Sequence, residues 1–301
     1  MSDVRPFPSL EIVPPLKGIT QTELIEGIRP FMAFGPRYIN VTCHRDEYEF
    51  RPRPDGGYER HLLRKRISQT AVCAAVQRAF PEVEVVPHLI CGGASADLIE
   101  ASLEDFRFMD IHNILVLRGD AVPGEKRFTP EPDGYAHASE LVAAIRRYEA
   151  EKGGSRLFYL AVGAYPEKHP EAPNLDTDIR FLKEKVDAGA DQIVTQMFFD
   201  NGVFYEFVRR CREAGITVPI VPGLKPLSTL RQLQLLPEAF SIDLPATLTA
   251  EIAAHPDAVY SIGQEWCKAQ CRDLIAHGYN EVHFYTMGRS DNIVNILRDC
   301  F

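Results

Sequence analysis

Two carboxylates stand out by where the chain puts them. Glu11 sits inside a short apolar run, Ser9-Leu10-Glu11-Ile12-Val13, which Pro14-Pro15 terminates because proline has no N–H to give a ladder. A lone carboxyl with apolar neighbours holds its proton to higher pH than usual and suits general acid work. The competing reading is a solvated edge residue. Asp120 closes Asn113-Ile114-Leu115-Val116-Leu117-Arg118-Gly119-Asp120. There an unbroken apolar run, of the kind buried on both faces of a parallel sheet, stops at once on a cation, a glycine and a carboxylate. Such an ending is either an ordinary polar turn or one wall of a site.

Further polar residues fall at or just beyond the ends of comparable runs: Thr42, His88, Tyr165, His169, Gln196, Lys225 and Arg289. In a barrel of alternating strands and helices these ends share one rim, where chemistry collects. Glu11 suits proton transfer, and Asp120 is a candidate wall of the site. Lys225 could form a Schiff base, as barrel aldolases do, although Pro222-Gly223 before it argues for a loop position. His88, His169 and Asp120 could be assembled into a metal site, but their spacing does not demand one. With no Cys-x-x-Cys either, no metal is expected.

The elements that must carry these residues follow from periodicity. Apolar runs at 9–13, 38–43, 84–89, 113–117, 157–161, 192–197, 219–221 and 281–286 read as strands. Helical spacing covers 20–34, 62–80, the stretch capped by Ser95 through Phe108, 137–152, 178–188 and 202–214. More helix follows Ser228, then 244–278 in two pieces broken at His255-Pro256, then a last segment from Asp291. Residues 51–58 and 120–134 are rich in Pro, Gly and charge and read as loops. Eight strand–helix repeats predict an α/β chain closed into a (β/α)8 TIM barrel, one catalytic domain over residues 1–301. Neither a Gly-x-Gly-x-x-Gly fingerprint nor a phosphate-binding P-loop motif is present.

The chain has 301 residues, 45% hydrophobic and 25% charged, with a net charge of −9. An acidic surface without a Lys/Arg block argues against a nucleic-acid or membrane-surface role. The seven cysteines form no disulfide framework. With no signal-like start and no apolar run of membrane-spanning length, a reducing cytoplasm is the expected compartment.

A set of segments in order along the chain resembles the methylenetetrahydrofolate reductase family. They are Leu10-Glu11-Ile12-Val13-Pro14-Pro15, Pro87-His88-Leu89, Leu117-Arg118-Gly119-Asp120, and Ala164-Tyr165-Pro166-Glu167-Lys168-His169-Pro170-Glu171-Ala172. Lys185-Val186-Asp187-Ala188-Gly189-Ala190 with Thr195-Gln196-Met197-Phe198-Phe199-Asp200, and His283-Phe284-Tyr285-Thr286, complete the set. The resemblance implies an FAD-containing barrel that reduces 5,10-methylenetetrahydrofolate to 5-methyltetrahydrofolate with NADH or NADPH, by ping-pong transfer, in one-carbon metabolism and methionine supply. It implies Glu11 as the general acid that opens the folate ring, and Asp120 as the carboxylate beside flavin and pterin. Thr42, His88, Arg118, Gly119, His137, Ala138, Tyr165, His169, Ala172, Asp178 and Lys185 match positions contacting FAD, with Tyr135-Ala136 as an alternative register for His137-Ala138. Gln196 and Gln232 match glutamines at the face shared by nicotinamide and folate, and Arg289 an arginine near the benzoyl-glutamate end.

The family's Phe-Glu-Phe-Phe-Pro-Pro is here Leu10-Glu11-Ile12-Val13-Pro14-Pro15, and its Thr-Tyr-Gly-Ala is Thr42-Cys43-His44-Arg45. The expected partners are these small molecules and further copies of the chain, as a homo-oligomer. Longer family members carry a second domain that binds S-adenosylmethionine. The residues after the eighth strand are too few to build one, so that regulation is expected to be absent. Two other readings stay open: a barrel lyase or aldolase using Lys225, and a non-catalytic folate- or flavin-binding barrel.

Overall fold

The computed structural model describes residues 5–122, 125, 127–286 and 291–301. Eight of its strands close into a parallel barrel. In chain order these are β1 (Phe7–Ile12), β2 (Tyr38–Val41), β5 (Glu84–Ile90), β6 (Asn113–Leu117), β7 (Tyr159–Ala164), β8 (Gln192–Met197), β9 (Ile220–Leu224) and β10 (Glu281–Tyr285). Around the ring the order is β1, β10, β9, β8, β7, β6, β5, β2. Each strand therefore lies beside its sequence neighbour in the ring, and β1 closes against β10 through Phe7↔Glu281 to Glu11↔Tyr285. The (β/α)8 barrel expected from the alternation is the observed fold.

Several strands carry apolar residues on both faces because both are covered. Val86, Leu115, Ala161, Val194 and Val221 form a small cluster of their own. Their chain neighbours Val85, Ile114, Val116, Leu160, Val162 and Ile193 pack in the large cluster with the helices. The period-2 alternation thus separates the barrel's inside from its outer layer.

That outer layer comprises α1 (Gln21–Met32), α2 (Gln69–Ala79), α3 (Ala96–Phe108), α4 (Ala138–Glu151), α5 (Leu175–Asp187) and α6 (Asn201–Glu213). After β9 come α7 (Gln232–Phe240), α8 (Ala246–Ala254), a 3-10 turn (Pro256–Ala258) and α9 (Val259–Ala276), with α10 (Asp291–Cys300) last. Their starts are set by side chains that accept otherwise unpaired N–H groups. Thr20 and Glu23 form a reciprocal capping box on α1, Ser95 accepts from Leu98 N at 3.1 Å, and Asn174 accepts from Thr177 N at 2.9 Å. Helix α9 lies so close to the segment after β9 that a Cβ on Gly263 would come within 2.1 Å of the Leu227 carbonyl oxygen. Among the described residues no helix is long and apolar enough to cross a membrane.

Two strands run further than their sequence readings: β7, expected at 157–161, reaches Ala164, and β9, expected at 219–221, continues through Pro222-Gly223 to Leu224; a third stretch departs more widely. Residues 62–80 were expected to be a single helix, yet α2 begins only at Gln69, capped by Ser68. Before it, β3 (Glu47–Pro52) and β4 (Tyr58–Leu63) form an antiparallel hairpin outside the barrel sheet. The reversal is made by Arg53 to Gly57. Asp55 Oδ1 accepts from Gly57 N at 3.0 Å, and Gly56 takes φ +83°, open to residues without a Cβ. Leu62 and Leu63 therefore face opposite sides of a strand instead of opening a helix.

Candidate active site

The C-terminal ends of the strands open into a single cleft of about 2230 Å³. Glu11 reaches it from β1, where Leu10 and Ile12 turn outward into the core and leave Glu11 on the inner face. The backbone there is pinned: Thr286 Oγ1 donates to Glu11 O at 2.6 Å. The Glu11 side chain is only 12% exposed. Burial pushes its carboxyl up to about 7, with Lys225 pulling weakly the other way. His88 Nε2, from β5, stands 3.7 Å from Glu11 Oε2 and has no hydrogen-bond partner among the described residues. Burial drives His88 down to about 3, helped by the nearby His283, so its ring is neutral and the contact is not an ion pair.

Beyond β6 the chain builds the adjoining wall. Gly119 takes φ +84°, a left-handed conformation that residues with a Cβ rarely adopt, so the turn that presents Arg118 and Asp120 favours a glycine. Arg118 makes a two-pronged contact with Glu171, each prong 2.7 Å, and its guanidinium lies 4.9 Å from the centre of the Phe128 ring. Asp120 is exposed at the mouth.

The segment after β7 is held by its own side chains. His169 N donates to Asp178 Oδ2 at 2.8 Å, and Glu171 N donates to His169 Nδ1 at 3.1 Å, which places the His169 proton on Nε2. Tyr165 meets the His169 ring edge-on at 4.7 Å, and burial pushes its hydroxyl up to about 12. Lys168 adopts φ +121°, a strained conformation for a residue with a side chain, and its ammonium donates to Ala172 O at 2.9 Å. Lys185 on α5 donates to Gly163 O at 2.8 Å, and burial lowers its affinity for the proton.

Nearly all the expected positions meet in this cleft. Glu11, Thr42, His88, Arg118, Gly119 and Asp120 line it, as do Tyr165, His169, Ala172, Asp178, Lys185 and Gln196. At the start of α4 it is His137 and Ala138 that line it, and Tyr135-Ala136 does not. Gln232 is the exception. Its carboxamide oxygen accepts from Ser228 N at 2.7 Å and Thr229 N at 3.3 Å, capping the turn into α7 away from the cleft wall. Arg289 lies outside the described residues. Lys225 is 3% exposed and is absent from the cleft lining.

Other lining residues were not foreseen. Tyr285 joins the wall because barrel closure puts it beside Glu11. Its hydroxyl donates to Thr195 O at 2.7 Å. Tyr48, Phe50 and Arg60 come from the hairpin; the pairings Tyr48↔Leu62 and Phe50↔Arg60 set them on one face. Alternation of aromatic and charged residues from Glu47 to Pro52, ahead of Asp55-Gly56-Gly57, was the signal for that hairpin. Among the described residues no group of His, Cys, Asp and Glu could hold a metal ion.

The donor set suits a dinucleotide. A drug-sized ligand fills roughly 300–1,000 Å³, so a cleft of about 2230 Å³ has room for FAD with a second flat ligand beside it. Arg118 and Lys185 are fixed cations on one side, suited to phosphate. The unpartnered His88 Nε2 and the glycine backbone at 119 suit close approach of a polar ring.

A family profile described as methylenetetrahydrofolate reductase matches residues 2–300. Methylenetetrahydrofolate reductase (NADH) 1 of Arabidopsis thaliana is 32% identical over 303 residues, covering 96% of this chain and 47% of that protein. A probable methylenetetrahydrofolate reductase (NADPH) of Caenorhabditis elegans is 30% identical, covering 99% and 42%. The chain thus spans about half the length of these relatives. The 5,10-methylenetetrahydrofolate reductase of Escherichia coli K12 is 30% identical over 286 residues, covering 94% of this chain and 86% of that protein. Among solved structures, an uncharacterized Clostridium thermocellum protein that binds two copies of 5-methyl-5,6,7,8-tetrahydrofolic acid shares the fold, with TM-score 0.57 and 13% identity over 98% of this chain and 94% of that one. By the family match over almost its whole length, the chain belongs to the methylenetetrahydrofolate reductase family.

Proposed function

We propose that this chain binds FAD in the cleft and reduces 5,10-methylenetetrahydrofolate to 5-methyltetrahydrofolate, with NADH or NADPH as electron donor in ping-pong order. The observation that carries the reading is Glu11: a buried carboxyl, raised to about 7, on the floor of a cleft lined by the expected cofactor positions. Bound FAD supplies the hydride relay between the nicotinamide and the folate carbon.

The chain's own residues do the rest. Glu11 holds a proton at neutral pH and delivers it to the folate amine, opening the five-membered ring. Asp120 offers a negative charge to the cation so formed. Arg118, His169 and Lys185 would hold the phosphates of the cofactor, while Thr42, His88, Gly119, Tyr165, Ala172 and Asp178 would shape its bed beside His137 and Ala138. Gln196, whose oxygen is fixed by Met197 N at 2.9 Å, would orient the nicotinamide or folate in the cleft. A Schiff-base reaction at Lys225 is disfavoured, because that lysine is buried away from the cleft wall.

The test is anaerobic. Protein loaded with FAD is mixed with NADH or NADPH and the flavin absorbance is followed; methylenetetrahydrofolate is then added. Bleaching followed by return supports the reading. Bleaching with neither nucleotide, or no return with folate, overturns it.

A further inference from the structure

Three adjacent strands place Glu11, Tyr285 and Lys225 in one row. Glu11 pairs with Tyr285 across β1 and β10, and Phe284 pairs with Leu224 across β10 and β9. The next residue of each chain, Tyr285 and Lys225, therefore stands at the same height. Neighbouring strands lie about 4.8 Å apart, so the Glu11 and Lys225 backbones are roughly 10 Å apart, within reach of a lysine side chain. Lys225 is 3% exposed. A lysine at such a place bears a desolvation cost that lowers its hold on the proton.

Among the described residues, the other titratable groups packed around the pair are neutral. From β5 comes His88, pushed down to about 3 by burial, and from the barrel interior His283, likewise about 3. From β10 comes Tyr285, whose hydroxyl burial raises well above its usual range. From β2 come the uncharged Asn40 and Thr42, and from α9 Cys267, whose thiol burial also raises. Lys225, held near 8 by burial against weaker opposition from Cys267 and Glu11, is charged at neutral pH.

We propose that Lys225 is a positioning residue for the reaction, a buried ammonium behind Glu11 that sets the pH range in which the carboxyl serves as acid. The proposal rests on the reading of Glu11 as the proton donor. A fixed positive charge favours the carboxylate, so Lys225 keeps Glu11 from holding its proton too tightly to give it away. It acts from behind the carboxyl and touches no ligand.

The experiment is the pH profile of the folate half-reaction, read as return of flavin absorbance after photoreduction. Taking the roughly 10 Å between the two backbones as the charge separation, an effective dielectric of about 20 gives a shift of about one pH unit on loss of the charge. Lys225→Met moves the alkaline limb up by that amount, and Lys225→Arg returns it towards the native position. The nicotinamide half-reaction keeps its profile. An unmoved limb in Lys225→Met overturns the proposal, as does an equal shift in Lys225→Arg. Glu11→Gln separates the two readings: if it spares folate reduction the acid assignment itself fails, and if it removes the limb while Lys225→Met leaves it in place only the role of Lys225 fails. Infrared difference spectra of the Glu11 carboxyl, referenced to Glu11→Gln, read the same shift without turnover. Lys225→Gln serves there should the methionine variant not fold.

Discussion

Replacing Glu11 by Gln keeps the shape and the hydrogen-bonding capacity of the side chain and removes its proton. With the carboxyl raised to about 7, roughly half the molecules carry that proton at pH 7. With the ordinary value of 4.5, about 0.3% would. Burial therefore enlarges the competent fraction by about two orders of magnitude, and above pH 7 the fraction falls tenfold per unit. General acid catalysis is worth roughly 10²–10⁴-fold, or about 3–5 kcal/mol of barrier. Folate reduction in Glu11→Gln should drop by that factor, and flavin reduction by the nicotinamide, which needs no acid, should change little. Stopped-flow measurement of the two half-reactions separates them. The same shift carries a stability signature. A group whose folded value lies above its unfolded value stabilises the fold below the unfolded value, and that stability is lost as pH rises through the folded one. The window here runs from 4.5 to about 7, so above it the native carboxylate costs the fold up to about 3 kcal/mol. Glu11→Gln should then melt higher than the native protein at pH 8, with a smaller advantage at pH 5. An equal loss in both half-reactions, or a lower melting point at pH 8, would refute the reasoning by making Glu11 structural.

Three further outcomes are expected. Asp120→Asn should raise the midpoint potential of bound flavin, since removing a nearby anion eases reduction, and slow the folate half-reaction; potentiometric titration beside stopped flow reads both. Arg118→Lys loses the planar two-pronged contact with Glu171 and should weaken FAD retention about 10- to 100-fold, the worth of roughly 1.5–3 kcal/mol in a charged hydrogen bond, measured by fluorescence of released flavin. Gly263→Ala would set a Cβ 2.1 Å from the Leu227 carbonyl oxygen. The overpacking, about 1–3 kcal/mol, should outweigh the roughly 1 kcal/mol that alanine gains over glycine in a helix and lower the urea midpoint.

The barrel was legible because a strand buried on both faces leaves an unbroken apolar run. Ile114 to Leu117 is such a run, and its shortness with Gly119 just beyond it favours a strand over a helix. Positions such as Glu11 and Asp120 were legible because strand ends collect on one rim whatever the exact register. The parts that stayed hidden depend on contacts distant in sequence. Tyr285 joins the cleft only through closure of β10 on β1, which no local pattern announces. Tyr48 and Phe50 reach the cleft because β4 folds back on β3, and Leu62-Leu63 followed by a helical stretch obscured that strand. Gln232 was expected at the ligand face, but the turn between Ser228 and α7 leaves N–H groups that its carboxamide satisfies. Local hydrogen bonding of that kind decides a side chain's direction over a few residues, below the scale at which periodicity speaks.

The hairpin of β3 and β4 belongs to a sheet of its own, and beside its foot a bridge joins Leu16 to Arg66. The floor of the cleft and part of its rim are therefore separate mechanical parts. The floor is tied into a ring of eight strands, where a one-residue slip would turn Glu11 away from the cleft and disturb every neighbour. The arm is tied mainly to itself, and loop insertions of a few residues cost only fractions of a kcal/mol in closure entropy. Arm length and aromatic content can vary across relatives without disturbing the acid beneath, so ligand reach and proton chemistry are free to evolve on independent schedules.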